Sequence, residues 1–135
     1  MEGLTTGTDV CFVDYNNDGL LDISIGNKGR FRLYKNIQQN DNAWLKIKVV
    51  SKSYNYAGIG AIVKVYANGQ VYTQEINSGR GQRMQKPSVL HFGLGDANTI
   101  EKVEVHWDKK HIDVFTDLAV KQMYTLFEDG EKERL

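Results

Sequence analysis

A single cysteine, Cys11, and a single proline, Pro87, are all that the 135 residues contain of either type. One cysteine excludes an intrachain disulfide, so the fold has to be held by its core. An excess of charge is equally absent, because 17 Lys and Arg face 17 Asp and Glu. That balance argues against a nucleic-acid partner, since such proteins carry a basic surplus. Nowhere do eighteen apolar residues run together, and no basic stretch followed by an apolar run opens the sequence, so neither membrane insertion nor a signal peptide is expected. If the protein is exported, it is expected to be a piece of a longer chain with Met1 at a truncated start. What remains is globular composition, 41% apolar and 25% charged. At this length a chain buries roughly two thirds of its unfolded surface, enough for a real core.

Thirteen glycines and short alternating apolar stretches, with no sustained 3.6-residue stripe, predict an all-β protein. Leu45, Ile47 and Val49 share one face of a strand while Lys46 and Lys48 share the other, and Val103 to Trp107 repeats the pattern. Ile62 to Ala67 and Val71 to Ile76 flank Asn68-Gly69, the pair a two-residue hairpin turn prefers because both positions need positive φ. Further strands are expected at Val89 to Phe92, Ile112 to Thr116 and Met123 to Phe127, with a helical turn or bend at Asp117 to Val120. The polar stretch Gln38 to Asn42 lacks periodicity and sets a boundary near residue 40. Upstream, short strands at Ile23 to Ile25 and Arg32 to Tyr34 accompany an acidic loop. Downstream, about six strands at sandwich-like spacing are expected, ending in a charged, frayed tail from Glu128 to Arg134.

The loop Asp14-Tyr15-Asn16-Asn17-Asp18-Gly19-Leu20-Leu21-Asp22 puts oxygen-bearing side chains at positions 1, 3, 5 and 9 and glycine at position 6. Calcium takes six to eight oxygens in a flexible shell, and such an array on a tight turn points them inward. Asp14, Asn16, Asp18, the Leu20 carbonyl and Asp22 are the expected Ca²⁺ ligands. An EF-hand is excluded, because Ile25 stands where that motif needs a bidentate glutamate and strand-like segments flank the loop. Magnesium fits less well, since it demands stricter octahedral geometry. The plainer reading is an Asx-rich turn that needs no metal.

Two resemblances cover most of the chain. Phe12 to Ile23, followed by Ile25-Gly26-Asn27 and Arg32 to Asn36, resembles one calcium-binding FG-GAP/VCBS repeat of the integrin α-chain type, which implies one propeller blade. Residues from Trp44 to Glu128 resemble an ASPIC/UnbV domain, as in cartilage acidic protein and bacterial exported proteins. The residues that carry this are Trp44-Leu45, Gly58-Ile59-Gly60-Ala61, Glu75-Ile76, Gly79-Arg80-Gly81, Leu90 to Gly95 and Val103 to Trp107. The chain departs from that pattern at Asp108-Lys109-Lys110 and at Gly81-Gln82-Arg83-Met84-Gln85. The implied organisation is a partial repeat over residues 1–40, with a β-hairpin carrying the calcium loop, and a β-sandwich-like domain over 41–135. The implied function is a non-enzymatic, extracellular calcium-binding adhesion or interaction module, the C-terminal part of a larger exported protein. Its partner would be a protein or a glycan, and exposed strand edges would favour homo-oligomers.

A carbohydrate-binding alternative rests on Tyr54 and Tyr56, with Arg80 and Arg83 offering planar donors to acidic groups. Gly79-Arg80-Gly81 is not a phosphate cradle, because no helix follows it. His91, His106 and His111 match no zinc spacing. Asp108 and Asp113 could be imagined as a carboxylate pair for glycoside hydrolysis, but their proximity in sequence says nothing about the separation such a pair requires, and no nucleophile elbow surrounds any serine, so enzymatic activity is not expected.

Overall fold

A computed structural model describes residues 9–27, 30–53, 55–77 and 89–135. The strands within them are β1 (Asp9–Val13), β2 (Asp22–Asn27), β3 (Arg30–Tyr34), β4 (Ala43–Val50), β5 (Ile62–Ala67), β6 (Gln70–Glu75), β7 (Val89–Gly95), β8 (Lys102–His106), β9 (Ile112–Phe115), β10 (Gln122–Phe127) and β11 (Lys132–Arg134). The protein is all-β, and the described residues contain no helix. They fall into two compact units that part between Asn40 and Asp41.

In the first unit β1, β2 and β3 form an antiparallel meander in that order, so the hairpin expected around the acidic loop extends to three strands. Phe12 pairs with Ile23, and Ile23 with Tyr34, which sets these three in one row across the sheet. All three are exposed, and the described residues of this unit that are buried are Gly19 and Asp22. Alternation therefore made the strands without giving the meander an apolar core of its own.

The second unit is a β-sandwich of two four-stranded sheets, β11-β10-β4-β7 and β6-β5-β8-β9. Their facing sides hold the core. Leu45, Ile47 and Val49 of β4 lie with Phe92, Leu94, Tyr124 and Leu126, and against them stand Val63, Val65, Val103, Val105 and Phe115. Every one of these sits at the strand parity that alternation assigns to one face. Between β5 and β6, Asn68 and Gly69 have φ of 52° and 68°, the left-handed pair a two-residue hairpin turn requires.

Several boundaries differ from the sequence expectation. Eight described strands replace about six, and β4 pairs in parallel with β10, a contact between segments far apart in sequence. Of the two forms expected after Thr116, the structure has the bend, fixed by positive φ at Asp117 and Lys121. Lys46, expected on the polar side of β4, is buried with its ammonium 5.5 Å from the Trp44 ring centroid. The tail is ordered, because Lys132 to Arg134 pair with Tyr124 to Leu126.

Candidate functional site

The acidic loop joins β1 to β2 and is wound around its own carboxylates. Asn17 and Gly19 take φ of 60° and 86°, which curls the backbone so that amides point inward. One Asp14 oxygen accepts from the Asp18 amide at 3.1 Å and the other from the Gly19 amide at 2.9 Å. Asp18 accepts from the Leu20 amide at 2.9 Å through one oxygen and from the Asn16 side-chain amide at 2.7 Å through the other. The Lys35 ammonium lies 3.9 Å from that second oxygen, an exposed pairing of little energetic weight. Asp14, Asn16 and Asp18 are thus brought together on one small turn.

Asp22 does something different. It is fully buried, and its two oxygens accept from the Tyr15 amide at 3.3 Å and the Asn36 amide at 2.7 Å. Asn36 in turn donates to the Leu21 carbonyl at 3.3 Å. One carboxylate therefore ties the start of the loop to the chain leaving β3. Burying a carboxylate is costly unless such donors satisfy it, and here both oxygens have one. Asp22→Ala is expected to quicken amide exchange at Tyr15 and Asn36 selectively, and residue-resolved hydrogen exchange checks this. Among the described residues no group of three His, Cys, Asp or Glu side chains is arranged to hold a metal ion.

The other candidates do not form one site. Tyr56 is exposed, at 72%. Tyr54, Arg80 and Arg83, the remaining candidate ligand contacts, lie outside the described residues. His91 stacks on Trp44, His106 contacts Glu104 and His111 contacts Glu128, so the three histidines have separate partners. One Asp108 oxygen accepts from the Lys110 and His111 amides, whereas Asp113 accepts from the Trp107 indole at 2.8 Å.

Two carboxylates that sequence reasoning passed over are heavily engaged in the sandwich. Glu128, placed by the sequence in a frayed tail, is buried. One of its oxygens accepts from the Ser51 hydroxyl at 2.8 Å and from the Lys52 and Ser53 amides, each at 2.7 Å. Burial pushes its carboxyl up, but the Ser53 amide, the Ser51 hydroxyl and the Lys52 amide outweigh burial and hold it at about 2. Glu104, on the outer side of β8, is held at about 2 chiefly by Lys102 and His106, with Tyr66 donating as well. No local signal marks Glu128, because its donors lie more than seventy residues upstream. Glu104 was legible only as one charge in the alternation Lys102, Glu104, His106.

No helix among the described residues is long and apolar enough to cross a membrane. A comparison with curated proteins finds no match. The family model described as ASPIC and UnbV matches residues 51–133, which takes in the sandwich from the Glu128-bound Ser51 to the last strand and stops short of the acidic loop. Domains of this kind are typically found in exported proteins that also carry FG-GAP repeats. With more than half of its length matched, the chain belongs to the ASPIC/UnbV family.

Proposed function

We propose that the protein is a non-enzymatic, extracellular interaction module of a larger exported protein, and that calcium orders its acidic loop. The observation that carries the calcium reading is the convergence of Asp14, Asn16 and Asp18 on one turn, with Asp22 buried at its end. The donor set fits the ion: Asp14, Asp18, Asp22, the Asn16 amide oxygen and the Leu20 carbonyl are all hard oxygens, with no thiolate or imidazole among them. Three carboxylates would leave the site near neutral with a dication. Among the described residues Asp14, Asp18 and Asp22 do not stand as a ready-made group of three metal-holding carboxylates, so calcium would have to draw them together as it orders the loop. Bound calcium would supply charge neutralisation and a fixed loop geometry, and Asp22 would transmit that order to the chain after β3.

A non-catalytic reading is supported by where the sandwich carboxylates point. Glu104, Asp108, Asp113 and Glu128 each accept from neighbouring protein donors and hold strands and turns together. Export is supported by the company the family keeps.

The test is thermal unfolding across a calcium titration, with magnesium and Asp18→Ala as controls. The expected result is a calcium-specific rise, worth about 2.7 kcal/mol when free calcium reaches a hundred times Kd. Extracellular sites of this ligand type have Kd of about 10⁻⁴ to 10⁻³ M, so the titration runs into tens of millimolar. Asp18→Ala is expected to abolish the rise. An equal rise in that variant, or none in the wild type, overturns the assignment.

A further inference from the structure

We propose that β6 is an interface for a second copy of this chain, the two β6 strands pairing edge to edge and antiparallel. Among the described strands the sandwich has four sheet edges: β11 and β7 on one sheet, β6 and β9 on the other. Proteins blunt such edges by shortness, charge, irregular pairing or an inward-pointing charged residue. Three of the four edges here show those devices. β11 is three residues long and entirely charged. β9 has four residues and turns Asp113 toward the Trp107 indole. β7 meets β4 through a register shift and carries Gly93 and Gly95.

β6 is the least protected of the four, its one such device being the charge of Glu75 at its last position. Its six residues, Gln-Val-Tyr-Thr-Gln-Glu, contain no lysine and no proline, and they pair with β5 without a bulge from Gln70 to Glu75. The two-residue turn makes Ala67 and Gln70 a hydrogen-bonded pair, so Tyr72 and Gln74 also bond toward β5. The bond from the Ile76 amide to the Ala61 carbonyl continues the same alternation, which then ends in a bulge, because the Ile76 carbonyl accepts from Gly60 instead of Ala61. Val71, Thr73 and Glu75 must then direct their amides and carbonyls away from β5. Among the described residues the partner on that side is Asn77, whose side chain donates to the Glu75 carbonyl at 3.1 Å.

The strand is complementary to itself. A two-fold axis at Thr73 sets it opposite the partner's Thr73, and sets Val71 opposite the partner's Glu75. Glu75 is the strand's one charged side chain, so this register brings no like charges together, and threonine pairs are favourable across strands. Tyr72, half-buried against the core, would stand opposite the partner's Gln74, a side chain that within its own sandwich donates to the His91 carbonyl at 2.7 Å. The two β6-β5-β8-β9 sheets would become one continuous sheet. This interface lies wholly in the sandwich and is independent of the calcium reading.

Sedimentation equilibrium from about 10 μM to about 500 μM tests it, the range suited to a small strand-edge interface. The weight-average mass is expected to rise from 15.3 kDa toward about twice that value. Thr73→Lys sets two like charges face to face at the axis, and should remain monomeric over the whole range while melting like the wild type when dilute. Val114→Lys adds the same charge to β9 at the far edge of the same sheet, and should associate as the wild type does. A wild type that stays monomeric overturns the proposal and leaves the edge to a strand from another protein. Association that survives Thr73→Lys, or that Val114→Lys abolishes equally, overturns it in favour of another surface.

Discussion

Gly58→Ala is expected to destabilise the sandwich by about 3 to 4 kcal/mol, whereas Gly60→Ala, two residues on, should cost about 1 to 2 kcal/mol. Both glycines have positive φ, 63° and 94°, so both substitutions carry the left-handed backbone penalty. The difference lies in the space available. A Cβ on Gly58 would stand 2.4 Å from Val49 Cγ2 and 3.5 Å from Trp107 Cζ3, while a Cβ on Gly60 would meet nothing within 4 Å. Val49 and Trp107 are both buried, so neither can swing into solvent. Gly58 is also fixed through its backbone, donating to the Asn55 carbonyl at 2.7 Å and accepting from the Ala61 amide at 2.9 Å. Shifting it would disturb the turn that leads into β5. Urea unfolding of the two variants measures the contrast, and equal costs would show that crowding against Val49 contributes nothing. A cycle with Val49→Ala sharpens the test, because truncating Val49 makes room for the new methyl. The double variant should therefore lose less than the sum of the singles.

What the sequence discloses depends on whether a structural reason is local. Asn68-Gly69 announces its turn because positive φ is a property of those two residues, and β4, β5 and β8 disclose their inner faces because the pleat makes alternation compulsory. The acidic loop is legible for the same reason, since Asp14 to Gly19 close a turn within six residues. Its two ends are less so. That Asp22 reaches the amide of Asn36 depends on β3 returning beside β2, which no spacing within the loop encodes. The parallel seam between β4 and β10 was illegible because pairing register comes from whichever faces meet in the folded core. The charged tail is better ordered than its composition suggests. Lys132 to Arg134 form a strand because β10 offers them an unpaired edge, and Glu128 is buried because the β4–β5 connection presents donors to it.

Glu128→Gln is expected to lower the melting temperature by about 5 to 10 °C at pH 7, and the gap should close as the pH falls. The carboxylate accepts from three donors of one segment, and its other oxygen lies 3.2 Å from His111 Nδ1. Its backbone amide also donates to the Val50 carbonyl at 3.0 Å, so the residue clasps the chain leaving β4 to the end of β10. Glutamine keeps the shape and one acceptor for the three donors, but it is neutral, so those bonds lose their charge assistance and its amide group faces His111. The pH dependence follows from the depressed carboxyl, about 2 in the folded protein against an ordinary 4.5. A lowered folded value means that the unfolded chain takes up the proton first as the solution is acidified. The clasp's contribution is therefore complete above about pH 4.5 and drains away toward about pH 2. Glu104, depressed to the same extent, remains in both proteins, so its acid lability cancels in the comparison. Differential scanning calorimetry from pH 7 to pH 2.5 should show two curves converging below pH 4.5. Parallel curves would mean that Glu128 acts through its shape alone, and its charge would then have no part in closing the sandwich.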